Sequence, residues 1–294
     1  YDFWQNVDIA DVLGFDKKYV DSVNKKEKFK SFIYGISQIA NFVKSKGIDR
    51  KKLRNILDEL IDSDLLMNSK IDFGLVTVKA KDMKPIYLFK DKMDKNKISD
   101  YILSSANLPV FKTEKMIDDD YYLDGFHDNN PVKMLLKKGY KKIYAVEIRG
   151  IGRRQKINDK DLKKVITIEP SRSLGSMLCV DAKQIRENIK IGYYDTLKVI
   201  KNYDGYNFIF KKHSKLLYNI LARNVKKDLL AKVQKYFRAT NSKELILKSL
   251  EYIMLKENIS YYHVYSALER IKYVKYYTDS DNFVYEFIRS LSIF

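Results

Sequence analysis

The chain has 294 residues, 45% of them hydrophobic, enough to bury a substantial core. No run approaches twenty uninterrupted apolar residues, which argues against a membrane-spanning helix, and Cys179 stands alone, which leaves no disulfide framework and no thiolate metal cage. The formal net charge of +18 invites nucleic acid or an anionic membrane as partner, but Lys, Ile, Asn and Tyr are abundant together, as compositional bias produces, and the lysines look scattered along the chain.

"YDFWQNV" (1–7) reads as the end of a helix whose beginning is missing; the chain opens on Tyr1, not Met, so an incomplete N-terminus is expected, and no signal peptide is seen. Residues 26–47 place Phe29, Phe32, Ile33, Ile36, Ile39, Ala40 and Val43 at spacings of three and four, an amphipathic helix ended by Gly47. A second helix is expected over 49–64, with Asp49 as N-cap and Leu53, Ile56, Leu57 and Leu60 as its buried stripe. Residues 70–82 switch to strand chemistry, with 84–90 as the hairpin partner. A helix over 97–111 stops before Pro109, because the residue before proline is disfavoured in the α region. Pro131 suits the first position of a short helix that Gly139 closes. Residues 141–150 and 163–171 read as short buried strands. Helix alternating with strand argues for a mainly parallel sheet with helices on both faces. From 181 to the end the pattern is nearly all helical, rich in Tyr and Lys.

Motifs for several chemistries fail. His127, His213 and His263 lie far apart, so no metal site is expected, and no cofactor either. No Gly-rich turn carries the Lys-Ser or Lys-Thr of a phosphate loop, and "GIGRR" (150–154) lacks the rest of a dinucleotide fingerprint. A serine nucleophile on a sharp elbow needs Gly-x-Ser-x-Gly, and that pentapeptide does not occur in the sequence. Ser104 and Ser105 sit near a helix end and suit packing or capping. Asp124 remains. It follows an aromatic run and precedes Gly125, then Asp128-Asn129-Asn130-Pro131. A carboxylate on a turn at a strand end can accept a proton from a hydroxyl supplied by another segment. The competing explanation is an Asx-turn, for which Asp128 and Asn129 are best suited.

The order of these parts resembles the patatin-like phospholipase family in its bacterial form. A helix ending in Ser-x-Ala-x-x-Pro (Ser104 to Pro109), close to the family's Ser-x-Ala-x-Pro, precedes Asp124-Gly125, Asn130-Pro131 and Gly139-Tyr140. The likeness extends over roughly residues 1 to 205. It implies an α/β fold, a three-layer α/β/α domain over 1–205 that is incomplete at its N-terminus, with a helical C-terminal region over 206–294. It implies lipid acyl hydrolysis by a Ser-Asp dyad, a serine-esterase activity of lipid catabolism. The aspartate maps onto Asp124, with Gly125, Asn130 and Pro131 as the supporting loop. The family's serine elbow and oxyanion loop have no counterpart in this sequence, so the chain alone is expected to be inactive. Phe126 replaces the family's usual Gly or Ala.

The expected partner is a phospholipid or other acyl lipid, in a cytoplasmic protein with peripheral contact to an anionic membrane. Helix 26–47, with Phe29, Phe32, Tyr34 and Phe42 beside Lys25, Lys26, Lys28 and Lys30, is the candidate contact. Two other classes stand beside this one. The first is a non-catalytic lipid- or protein-binding relative. The second, a basic nucleic-acid-binding module, is disfavoured by the scatter of charge, so no nucleic acid is expected.

Overall fold

The computed structural model describes residues 49–108, 111–112, 114–125, 128–148, 155–175 and 182–293. The amphipathic helix expected over 26–47 lies outside them, as do His127 and Cys179. The chain divides into two compact units, one built from residues 1–169 and 174–187, the other from 170–173 and 188–294. The sequence places its change of character at 205/206, whereas this division falls between Glu187 and Asn188.

In the first unit, α1 (Lys51–Leu60) follows Asp49, whose carboxylate accepts from the Lys51 N–H at 2.9 Å, while Arg50 takes the N-cap position without a side-chain bond. Leu53, Ile56 and Leu57 are half-buried, but Leu60 is 59% exposed, so the stripe ends one residue early. The apolar contact continues through Ile61 into α2 (Ser63–Asn68), which Asp62 caps by accepting from Leu65 N–H at 2.8 Å.

The hairpin forms where the sequence puts it. β1 (Gly74–Lys79) pairs antiparallel with β2 (Lys84–Phe89), closing at Lys79 opposite Lys84. β1 also pairs antiparallel with β3 (Tyr122–Asp124), giving the order β2-β1-β3. α3 (Ile98–Ser105) packs on β1 and β3, and Leu75, Met93, Ile98, Tyr101, Ile117 and Tyr122 form the core between them. α4 (Val132–Lys137) follows Pro131 and ends at Gly139, whose φ of +96° suits glycine and whose N–H bonds the Leu136 carbonyl at 3.0 Å. It packs on β4 (Ile143–Val146), which runs parallel to β5 (Val165–Ile168) after the short α5 (Asp159–Leu162).

Helices and strands intermix, so the chain is of the α/β class. Within the described residues, however, the largest sheet is antiparallel, because a hairpin and a returning strand build it. β4 is also not buried through its length: Ile143 and Ala145 face the core, while Tyr144 and Val146 are 44% and 65% exposed. That alternation marks a sheet covered on one face here.

The second unit takes in part of α6 (Ala182–Ile200) and is helical apart from a two-residue parallel pair, β6 (Ile209–Phe210) with β7 (Val264–Tyr265). Its helices are α7 (Lys215–Ala222), α8 (Lys227–Phe237), α9 (Ser242–Lys256), α10 (Ala267–Tyr277) and α11 (Phe283–Ser290). α9 packs against α7, α8, α10 and α11, and buries Leu245, Ile246, Leu250, Ile253 and Met254. Eight of its fifteen residues are buried, which puts α9 at the centre of this unit's core.

Candidate active site

Asp124 ends β3, opposite Thr77 of β1, and is half-buried. Its backbone N–H donates to the Asn107 carbonyl at 2.8 Å, and the next N–H, of Gly125, donates to the Ser105 carbonyl at 3.2 Å. The turn that ends α3 therefore holds the Asp-Gly dipeptide by its main chain. Three side chains tie that turn to the sheet. Ser105 Oγ donates to the Val76 carbonyl at 2.7 Å, and Asn107 Nδ2 donates to the Tyr122 carbonyl. The Thr77 hydroxyl lies 3.0 Å from both the Ser104 and the Leu123 carbonyls and shares its single proton between them. Ser104 Oγ turns back to the Tyr101 carbonyl at 2.7 Å, so both serines serve packing, as their place near a helix end suggests.

Gly125 is required by space. A Cβ there would stand 2.5 Å from the Val76 carbonyl oxygen, a contact with backbone that cannot swing aside. The close approach lets β3 leave the sheet directly after Asp124.

The loop that follows is built differently from the Asx-turn expected of Asp128. Its N–H does bond the Gly125 carbonyl at 2.9 Å. Its side chain, in a residue 2% exposed, instead accepts from the Tyr87 hydroxyl at 2.9 Å and from Gln155 Nε2 at 2.8 Å. Both bonds land on Oδ2, while Oδ1 is buried with no hydrogen-bond partner, so the carboxylate is turned toward β2 and the 155 segment and α4 starts at Pro131 without a side-chain cap. Burial raises the Asp128 carboxyl above its ordinary value, against the Tyr87 hydrogen bond, which lowers it. Burial, then Asp128, pushes the Tyr87 hydroxyl up to about 12. Asn130 is half-buried, and its carbonyl accepts from Val132 N–H at 2.8 Å at the entry to α4.

Beside this loop a cleft of about 640 Å³ opens in the first unit. Ile71, Phe73, Phe89, Pro131, Met134 and Tyr144 supply apolar walls. Its lining includes Pro131 but not Asp124. Its volume lies in the range of small-molecule sites.

Among the described residues no group of three His, Cys, Asp or Glu could hold a metal ion. His213 and His263 lie in the second unit, against Tyr218 and Tyr265 respectively. Thr77, Asn107, Tyr87 and Gln155 were not singled out by sequence reasoning. Thr77 gave one signal, a lone hydroxyl in the apolar strand Leu-Val-Thr-Val, which is fully buried.

Taken together, the parts make an α/β segment in which the turn over residues 105–107 at the end of α3 grips an Asp-Gly dipeptide and an Asn-Pro step leads into a helix. Residues 3–136 match the model of a family described as patatin-like phospholipase. The family is one of lipid acyl hydrolases. The match spans somewhat under half of the chain and ends within α4, so the downstream likeness expected as far as residue 205 lies beyond it. A search of curated proteins found no match. No helix among the described residues is long and apolar enough to cross a membrane.

Proposed function

We propose that the patatin-like segment works in hydrolysis of acyl-lipid esters, with Asp124 as the base of a Ser-Asp dyad. The observation that carries this reading is the main-chain clamp on Asp124 and Gly125, which fixes a carboxylate at a strand end. Gly125, Asn130 and Pro131 support it as the adjoining loop. The serine would come from a Gly-x-Ser-x-Gly elbow, which the 294 residues do not contain.

In the reaction, Asp124 takes the serine proton as the oxygen attacks the ester carbonyl. Collapse of the tetrahedral species expels the alcohol, which takes the proton back. Asp124 then accepts a proton from water as that water attacks the acyl-serine, and returns it to the serine as the fatty acid leaves. The apolar cleft beside Pro131 offers room for an acyl chain.

The test begins upstream of Tyr1 in the coding sequence. With an elbow present there, the longer protein should hydrolyse short-chain esters, and Asp124→Asn should lower the rate by about 10²–10⁴-fold without loss of fold. The 294-residue chain should take no fluorophosphonate label. An unchanged rate in Asp124→Asn, or stoichiometric labelling of the short chain, overturns the assignment. The missing pentapeptide favours one second reading, a lipid- or protein-binding relative without catalysis; an upstream sequence free of any elbow selects it.

A further inference from the structure

The cations that look scattered over the whole sequence do not behave alike in the second unit. Lys198, Lys243, Lys248 and Arg270 each meet a carboxylate, on Asp195, Asp204, Glu244 and Glu257 respectively. Lys275 and Arg289 are spent on main-chain carbonyls. Exposed cations without an ion pair among the described residues occur at Lys201, Lys211, Lys212, Lys215, Lys256 and Lys272, but their largest group along the chain lies between residues 223 and 238, where Lys232 also stands over the Phe283 ring at 4.6 Å. Arg223, Lys226, Lys227, Lys232, Lys235 and Arg238 are all exposed, none forms an ion pair among the described residues, and Asp228 is the sole acid in the stretch.

The fold concentrates them. α8 turns Leu229, Leu230, Val233 and Phe237 toward the core, which leaves Lys227, Lys232 and Lys235 on its outer side. Arg223 and Lys226 occupy the corner between α7 and α8, and Arg238 follows the last turn of α8. Lys226 and Lys227 stand at the N-terminal end of α8, where the helix dipole disfavours positive charge. Folding alone gives no reason for that placement; an external anion does. The same two helices carry exposed apolar side chains, Leu216 of α7 at 67% and Tyr236 of α8 at 54%.

We propose that the outer side of α8 and the α7–α8 corner form a docking surface for an anionic lipid bilayer. Lysines and arginines on helices that also expose Leu216 and Tyr236 match a surface of anionic headgroups over acyl chains. Nucleic acid would use rings with free faces for stacking. The tract's exposed aromatic, Tyr236, is already engaged with three other rings, those of Phe237, Tyr252 and Phe283, at 4.8, 6.0 and 5.3 Å between centroids. The choice of lipid leans on the family match at residues 3–136 but needs no turnover at Asp124, so binding and hydrolysis fail separately.

Sedimentation with phosphatidylserine–phosphatidylcholine vesicles and with pure phosphatidylcholine vesicles tests the surface on the 294-residue chain. The chain should bind the anionic vesicles and release them as salt rises. The triple variant Lys227→Gln, Lys232→Gln, Lys235→Gln should lose at least about tenfold in affinity, given the worth of a basic residue near such a surface. A control with equal loss of charge, Lys141→Gln, Lys160→Gln, Lys163→Gln, should bind within about twofold of the parent, because these lysines lie in the other unit. Circular dichroism checks that both variants keep their helix content. Equal losses in the two variants reduce the effect to net charge and overturn the proposal. So does equal binding to neutral vesicles, or a single-stranded oligonucleotide that displaces the chain from anionic vesicles through the same three lysines.

Discussion

A methyl group at position 125 would collide with the main chain of β1, and that one contact separates Asp-Gly from Asp-anything here. Gly125→Ala puts its Cβ 2.5 Å from the Val76 oxygen, so either β3 or the turn after α3 must shift. Overpacking of this kind costs about 1–3 kcal/mol. The expected outcome is a drop of that size in the stability of the chain, read from urea unfolding followed by circular dichroism; a variant as stable as the parent would show that the strand gives way freely. Position 128 teaches the opposite lesson about a neighbouring Asp. Sequence logic assigned it to a local turn, because Asp-Asn-Asn-Pro is what such turns are made of. Its carboxylate was instead taken by Tyr87 and Gln155, remote in sequence, and no local pattern announces a partner of that kind.

Elements with a strong period were legible; elements defined by their partners were not. The β1–β2 hairpin, α3 ending before Pro109, α4 between Pro131 and Gly139, and the long α6 all follow from alternation, helical spacing and punctuation. The antiparallel return of β3 beside β1 does not, since three residues carry no direction. Helix starts in the second unit carry a local signal: Asn241-Ser-Lys-Glu244 and Ser266-Ala-Leu-Glu269 have the spacing of a cap, and Asn241 and Ser266 accept the Glu244 and Glu269 N–H groups at 2.9 and 3.4 Å. A subtler device joins α9 to the loop before β6. Glu251, 3% exposed, accepts from the N–H groups of Tyr206, Asn207 and Phe208 at 2.6, 2.9 and 3.4 Å. Gly205, at φ +105°, makes the bend that aims them. Burial raises the Glu251 carboxyl above its ordinary value despite those bonds. Glu251→Ala strips three main-chain N–H groups, that of Phe208 buried, of their acceptor and should cost about 1–3 kcal/mol. Glu251→Gln keeps one acceptor oxygen and should recover part of the loss. Thermal melts of both variants check the order, and an alanine variant no weaker than the glutamine one would sink the clamp.

For the molecule as a whole the dominant quantity is the charge of +18. Several of its ion pairs face solvent: Lys95–Asp64, Lys115–Asp119 and Lys84–Asp82 have side chains 45–80% exposed. Such pairs contribute little, about 0–1 kcal/mol each. Self-repulsion among the remaining cations is therefore the larger electrostatic effect on stability, and salt screens it. The melting temperature should rise as sodium chloride goes from about 0.02 to about 0.3 M, over which the screening length falls severalfold. A falling melting temperature would mean that the ion pairs outweigh the repulsion.

The clamp around Asp124 also has a history in time. Its bonds join residues far apart in the chain: Thr77 reaches Ser104 across 27 residues and Leu123 across 46, and Ser105 reaches Val76 across 29. No helix or hairpin can assemble it alone, and loop closure must come before its contacts give any return. A chain caught with α1, α3 and the β1–β2 hairpin formed but β3 still loose would have nearly native helix content and no placed carboxylate. The Asp124 amide, bonded to Asn107, is thus a reporter of completed folding, and its exchange with solvent deuterium should follow the opening of the whole sheet, not the fraying of any single element.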